Sequence, residues 1–138
     1  MWTVLDRSDL REMAEILKSK YQSLPSRSKL QTVTEETIQS MIQSNGVVLL
    51  AFLAKWCAPC RIYEPSLERL SMRLGVIVAK VDVDEERNLV KEYEIKELPT
   101  TILIFNGKPV WREEGAVDEG RLEEVIRSIR TSGPQTSD

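Results

Sequence analysis

At 138 residues, 41% of them hydrophobic and 30% charged, the chain has apolar content for one core and no room for a second full domain. Its formal charge of −3 argues against the basic face that phosphate contacts demand, so no nucleic-acid partner is expected, and no apolar run approaches the length of a membrane span. Two cysteines and no histidine cannot complete the four-ligand shell of a structural zinc site within one chain, and no metal or cofactor is expected.

Leu10, Met13, Ala14, Leu17, Tyr21 and Leu24 recur at helical spacing, which predicts an amphipathic helix over about 8–23, followed by a Pro/Ser linker at Leu24-Pro25-Ser26-Arg27-Ser28. Residues 1–30 carry six Lys/Arg against four Asp/Glu, whereas the rest carries 13 against 18, so attraction to the acidic body is expected. The apolar stripe suits packing on the body, docking of a partner or contact with a membrane surface. The N-terminus lacks an apolar stretch with a small-residue cleavage site, and its acids fit poorly with a transit peptide; a cytoplasmic, reducing compartment is the expectation.

Gln31 to Val33 reads as a short edge strand, and Thr34 before Glu35 and Glu36 as the N-cap of a helix burying Ile38, Met41 and Ile42. Asn45-Gly46 stops that helix. Val47 to Leu53 is then an unbroken apolar run of strand formers, the pattern of a strand buried on both faces. After three intervening residues comes Cys57, inside Trp56-Cys57-Ala58-Pro59-Cys60. Pro59 suits the first turn of a helix, and Cys57 then sits where unpaired N–H groups and the helix dipole favour a thiolate, with Cys60 deeper in the first turn. One exposed and one shielded sulfur are expected, close enough to join reversibly. A bridge closing so short a loop is a poor structural staple.

The helix continues through Ile62, Leu67, Leu70 and Leu74, with a kink expected at Pro65. Val76 to Val83 forms another strand, containing Lys80. The acids Asp82, Asp84, Glu85 and Glu86 lack the glycine and spacing of a calcium loop and read as a solvated loop before a helix bearing Leu89, Val90 and Tyr93. Strands Thr101 to Phe105 and Pro109 to Glu113 flank Asn106-Gly107, a strong hairpin signal. The last helix is capped by Asp118 and buries Leu122, Val125, Ile126 and Ile129, and residues 131–138 form a polar, disordered tail.

With this order, and with Trp56-Cys57-Ala58-Pro59-Cys60, Pro65, Leu98-Pro99-Thr100, Asn106-Gly107 and Gly115 at separated places, the chain resembles the thioredoxin family over about residues 30–130. The resemblance implies an α/β thioredoxin fold, a central mixed β-sheet flanked by helices, here with an extra N-terminal helix. Residues 1–29 would be extension and linker, and 30–130 the thioredoxin domain. It further implies a protein-disulfide oxidoreductase in which Cys57 is the nucleophile and Cys60 the resolving thiol. Pro99 would be a cis proline beside the sulfurs, and Trp56, Ala58, Leu98 and Gly115 would line the substrate surface. A thioredoxin reductase would supply electrons to a protein that is monomeric. An ordinary thiol is about 3% thiolate at pH 7; a fall in pKa to about 7, a figure typical of thioredoxins, makes it about half.

The pattern departs from the family's in three places. The buried strand acid that many thioredoxins place beneath the resolving cysteine is Ala51, so Lys80, matching the family's buried lysine, must turn to water or another acid. Ala58 replaces the usual glycine, and Lys55 precedes Trp56, where its charge favours the Cys57 thiolate. The N-terminal extension is not part of the minimal fold. Two alternatives stay open: a disulfide oxidase or isomerase, and a protein-interaction module docking through the N-terminal helix.

Overall fold

The computed structural model describes residue 12 and residues 29–132; the expected N-terminal helix and linker, and residues 133–138, lie outside the described residues. The described order is β1 (Leu30–Thr32), α1 (Ile38–Ser44), β2 (Val47–Leu53), α2 (Ala58–Leu74), β3 (Ile77–Asp82), α3 (Arg87–Glu92), β4 (Thr100–Phe105), β5 (Lys108–Glu114) and α4 (Glu119–Ser132). The strands form one mixed sheet in the order β1-β3-β2-β4-β5. The apolar run of β2 lies at its centre, parallel to β3 and antiparallel to β4.

Strand alternation divides the core into two layers. Leu49, Ala51 and Leu53 face α2 and α4, meeting Tyr63, Leu67, Leu70, Leu122, Ile126 and Ile129. Val48, Leu50 and Phe52 face α1 and α3, meeting Ile38, Ile42 and Leu89. Phe52 also meets the Tyr93 ring, with centroids 5.5 Å apart. Both faces of β2 are therefore covered, as its composition requires.

Asn106 and Gly107 turn the β4–β5 hairpin with φ of 49° and 84°, the paired positive angles that an Asn-Gly turn supplies at low cost. Pro109 is tolerated because β5 is an edge strand, next to a register shift at Leu103/Ile104. Asp118 caps α4 as expected, its carboxylate accepting the Gly120 amide at 3.1 Å.

Several local expectations are corrected. Thr34 does not cap a helix directly: residues 34–37 form a tight turn in which the Thr37 hydroxyl accepts the Thr34 amide at 2.9 Å, and α1 starts at Ile38. Ile62 is 79% exposed, because the buried face of α2 runs through Cys60, Tyr63, Leu67, Leu70 and Ser71, and position 62 falls off that progression. Thr131 and Ser132 belong to α4 rather than to a tail.

Candidate active site

β2 and α2 together build the site. Residues 54–57 make a tight exit from the central strand, the Cys57 amide donating to the Ala54 carbonyl at 3.2 Å. Cys57 is then the N-cap of α2 in extended conformation (φ −88°, ψ 109°), with Ala58 and Pro59 in the first turn. The Cys60 amide donates to Cys57 Sγ at 3.3 Å, so an otherwise unpaired N–H at the positive end of α2 is aimed at this sulfur. That arrangement stabilises negative charge on Cys57 when the pair is reduced.

The structure holds the pair joined as a disulfide, with Cα atoms 5.2 Å apart. Here the expectation of one exposed and one shielded cysteine is corrected: Cys57 is 6% and Cys60 2% exposed. The asymmetry lies instead in what each residue borders. Cys57 lines a groove of about 500 Å³ with Trp56, Ala58, Pro59 and Leu98, joined by Val83, Val90, Ile95 and Lys96. Cys60 lines a separate open cavity of about 750 Å³.

Trp56, 68% exposed, is held by its indole N–H, which donates to the Asp84 carboxylate at 2.9 Å. Arg61 Nε donates to the Lys55 carbonyl at 3.0 Å, bringing a second cation to the motif beside Lys55. The Leu98–Pro99 bond is cis. Gly115, at φ 88°, donates its amide to the Pro99 carbonyl at 2.7 Å, so it acts through the backbone of the proline segment and is not part of the groove wall. Both cysteines, Trp56, Ala58, Pro59 and Leu98 are thus brought together, with Gly115 tied in behind Pro99.

On the sheet face that packs against α2 and shares a core with the disulfide, one row crosses the sheet: Lys80 of β3, Ala51 of β2, Thr101 of β4 and Glu113 of β5 are register neighbours. Ala51 is fully buried and leaves an apolar gap in an otherwise polar row. Two α2 side chains meet the polar residues on either side. Glu64 pairs with the Lys80 ammonium through Oε1, the other acid that Lys80 needed. The Tyr63 hydroxyl meets Thr101 Oγ1 at 2.7 Å, and burial pushes its pKa above the usual value. Sequence reasoning missed Glu64, Tyr63, Asp84 and Lys96; only Glu64 carried a signal, its spacing of four residues from Cys60 on one helix.

Comparisons with known proteins agree with this geometry. A family model described as thioredoxin matches residues 29–128. The chain is 38% identical over 98 residues to a thioredoxin of Chlamydia trachomatis, covering 70% of this chain and 95% of that protein. It is 36% identical over 91 residues to a mitochondrial thioredoxin of Mus musculus, covering 64% of this chain and 55% of that longer protein. Among solved structures, a mutant thioredoxin from Halobacterium salinarum superposes with a TM-score of 0.71 at 34% identity, covering 77% of this chain and 95% of that one.

Proposed function

The chain belongs to the thioredoxin family and is a thioredoxin-type protein-disulfide oxidoreductase, and on that premise we propose that Cys57 is the attacking thiolate and Cys60 the thiol that resolves the mixed disulfide. The observation that carries the assignment is the Cys60 amide aimed at Cys57 Sγ at the N-terminus of α2. It favours the anion on Cys57, the residue that borders the groove, so Cys57 meets an incoming disulfide first. Attack forms a Cys57–substrate bond and releases one substrate sulfur as thiolate. Cys60 then attacks Cys57 Sγ, closes the internal disulfide and releases the second substrate sulfur. Held one turn apart on one helix start, the two sulfurs make the second step intramolecular and fast.

Trp56, Ala58, Pro59 and Leu98 offer an apolar wall to an extended substrate segment, with the cis Pro99 segment braced by Gly115. Thioredoxins act on protein disulfides and are recharged by a thioredoxin reductase, and we assign this chain a donor of that kind. Residues 30–130 form the working domain, acting as a monomer in the cytoplasm, where a reducing milieu keeps the dithiol charged. No helix among the described residues is long and apolar enough to cross a membrane.

Disulfide exchange with a protein substrate tests the roles. Cys57→Ser should abolish turnover, whereas Cys60→Ser should accumulate a mixed disulfide between Cys57 and the substrate. Accumulation on Cys60 in the Cys57→Ser variant, at wild-type rate, would reverse the assignment. Sedimentation and cell fractionation check the monomer and the compartment.

A further inference from the structure

Resolution requires the Cys60 thiol to lose a proton, yet Cys60 is 2% exposed and Ala51, the β2 residue buried in the same core layer, offers no base. We infer that Glu64 is the proton acceptor for Cys60, held in place by Lys80. This inference rests on the dithiol mechanism proposed above.

Three observations converge. Cys60 and Glu64 are four residues apart on α2, one above the other on the same face, with Cβ atoms of such pairs about 5–6 Å apart. Cys60, Glu64 and Lys80 border the same open cavity of about 750 Å³, wide enough for one water to pass a proton between thiol and carboxylate. Lys80 engages only Oε1 of Glu64, and no described residue bonds Oε2. The ammonium therefore fixes the carboxylate in the cavity while leaving one oxygen to accept the proton.

The other candidates in the cavity are less suited. Asp82 ends β3 and Glu86 stands on the loop before α3, so neither shares the helix face that carries Cys60. Glu85 stands on the loop before α3, away from the helix that carries Cys60. Tyr63, also on α2, does not line the cavity, and its hydroxyl is engaged with Thr101. The remaining charged walls, Lys55 and Arg61, are cations and accept nothing.

The step balances as follows. The Cys60 S–H proton passes to the Glu64 carboxylate as Cys60 Sγ bonds Cys57 Sγ. The Cys57–substrate S–S bond breaks, and its electron pair leaves on the substrate sulfur. The dithiol has given two electrons to the substrate disulfide, and Glu64 then returns its proton to the departing thiolate or to water. Glu64 supplies, from the helix that carries the thiol, the base that Ala51 does not.

The test is a quenched-flow single turnover of the full chain, reduced, against a peptide disulfide, with the mixed disulfide trapped by acid and weighed. Mixed-disulfide formation by Glu64→Gln should proceed at the wild-type rate, while its resolution should be about 10²-fold slower near neutral pH. The deficit should shrink as pH rises and Cys60 ionises unaided. Glu64→Asp should recover part of the rate, and Glu85→Gln should behave as wild type. Resolution unchanged in Glu64→Gln, or slowed by a factor independent of pH, overturns the inference; the latter marks a structural role. Failure of the wild type to form the mixed disulfide on Cys57 would instead strike the functional assignment.

Discussion

Replacing Ala51 with aspartate tests why the centre of the sheet is apolar at this point. Ala51 is fully buried between Lys80 and Thr101 in a row on the α2 face of the sheet, and the one cation of that row is already held by Glu64. A carboxylate placed there without a free cation has its pKa raised by desolvation, on the order of 3 units, or about 4 kcal/mol at 1.36 kcal/mol per unit. The sign follows from a folded-state pKa above the unfolded one. The electrostatic penalty is absent below about pH 4, where both states are protonated, and complete above about pH 7. A further cost of about 1–3 kcal/mol for overpacking is independent of pH. Adding Glu64→Gln to Ala51→Asp releases Lys80 to the new carboxylate, so the double variant should be less destabilised at pH 7 than the sum of the singles by about 1–3 kcal/mol. Urea unfolding of the four proteins between pH 4 and 8 measures each term. A cost for Ala51→Asp that does not change with pH, or strict additivity of the two substitutions, would refute the reasoning.

Four further outcomes are expected. Tyr63→Phe leaves the buried Thr101 hydroxyl without its partner and should cost about 1–2 kcal/mol by denaturant unfolding. Burial raises Tyr63 and Tyr93 above the ordinary phenol value of 10.0, so the stability these groups contribute is intact below pH 10 and lost as pH climbs beyond it; Tyr63→Phe should blunt that alkaline loss. Gly115→Ala forces a side chain onto φ 88° and should destabilise by roughly 1–2 kcal/mol, with amide shifts at Leu98 and Thr100 reporting the disturbed Pro99 contact; an unchanged melting midpoint would contradict this. Asp84→Ala should free the Trp56 indole, lowering its fluorescence anisotropy and raising KM for a protein disulfide severalfold while kcat changes little.

The parts of this fold that are local were legible in the residues. The β2 run, the Asn106-Gly107 turn, the Asp118 cap and the helix start at Cys57 are each dictated within a few positions by sterics, burial or capping. Misreadings arose where a choice depended on phase or on distant partners. Ile62 looked apolar enough to be core, but the helix's rotation was set by Cys60, Tyr63 and Leu67. Sequence made clear that Lys80 needed an acid; that the acid is Glu64 depends on how α2 lies across β3, which no local pattern records. The assignment of Cys57 to the groove and Cys60 to a separate cavity likewise arises only when loops distant in the chain are brought together.

The two-layered core also bears on how the protein is made. The layer that holds Ala51, Cys57 and Cys60 is closed by Leu122, Ile126 and Ile129 of α4, the last described element. About 80 residues of synthesis separate the end of β2 from the end of α4, or about 4–16 s at 5–20 residues per second. Through that interval the nascent chain carries both thiols on an unfinished scaffold, open to oxidants and to other chains' cysteines. A ribosome pausing before α4 would therefore prolong the chain's most vulnerable state, and chaperones that shelter exposed apolar strands would guard the dithiol as well.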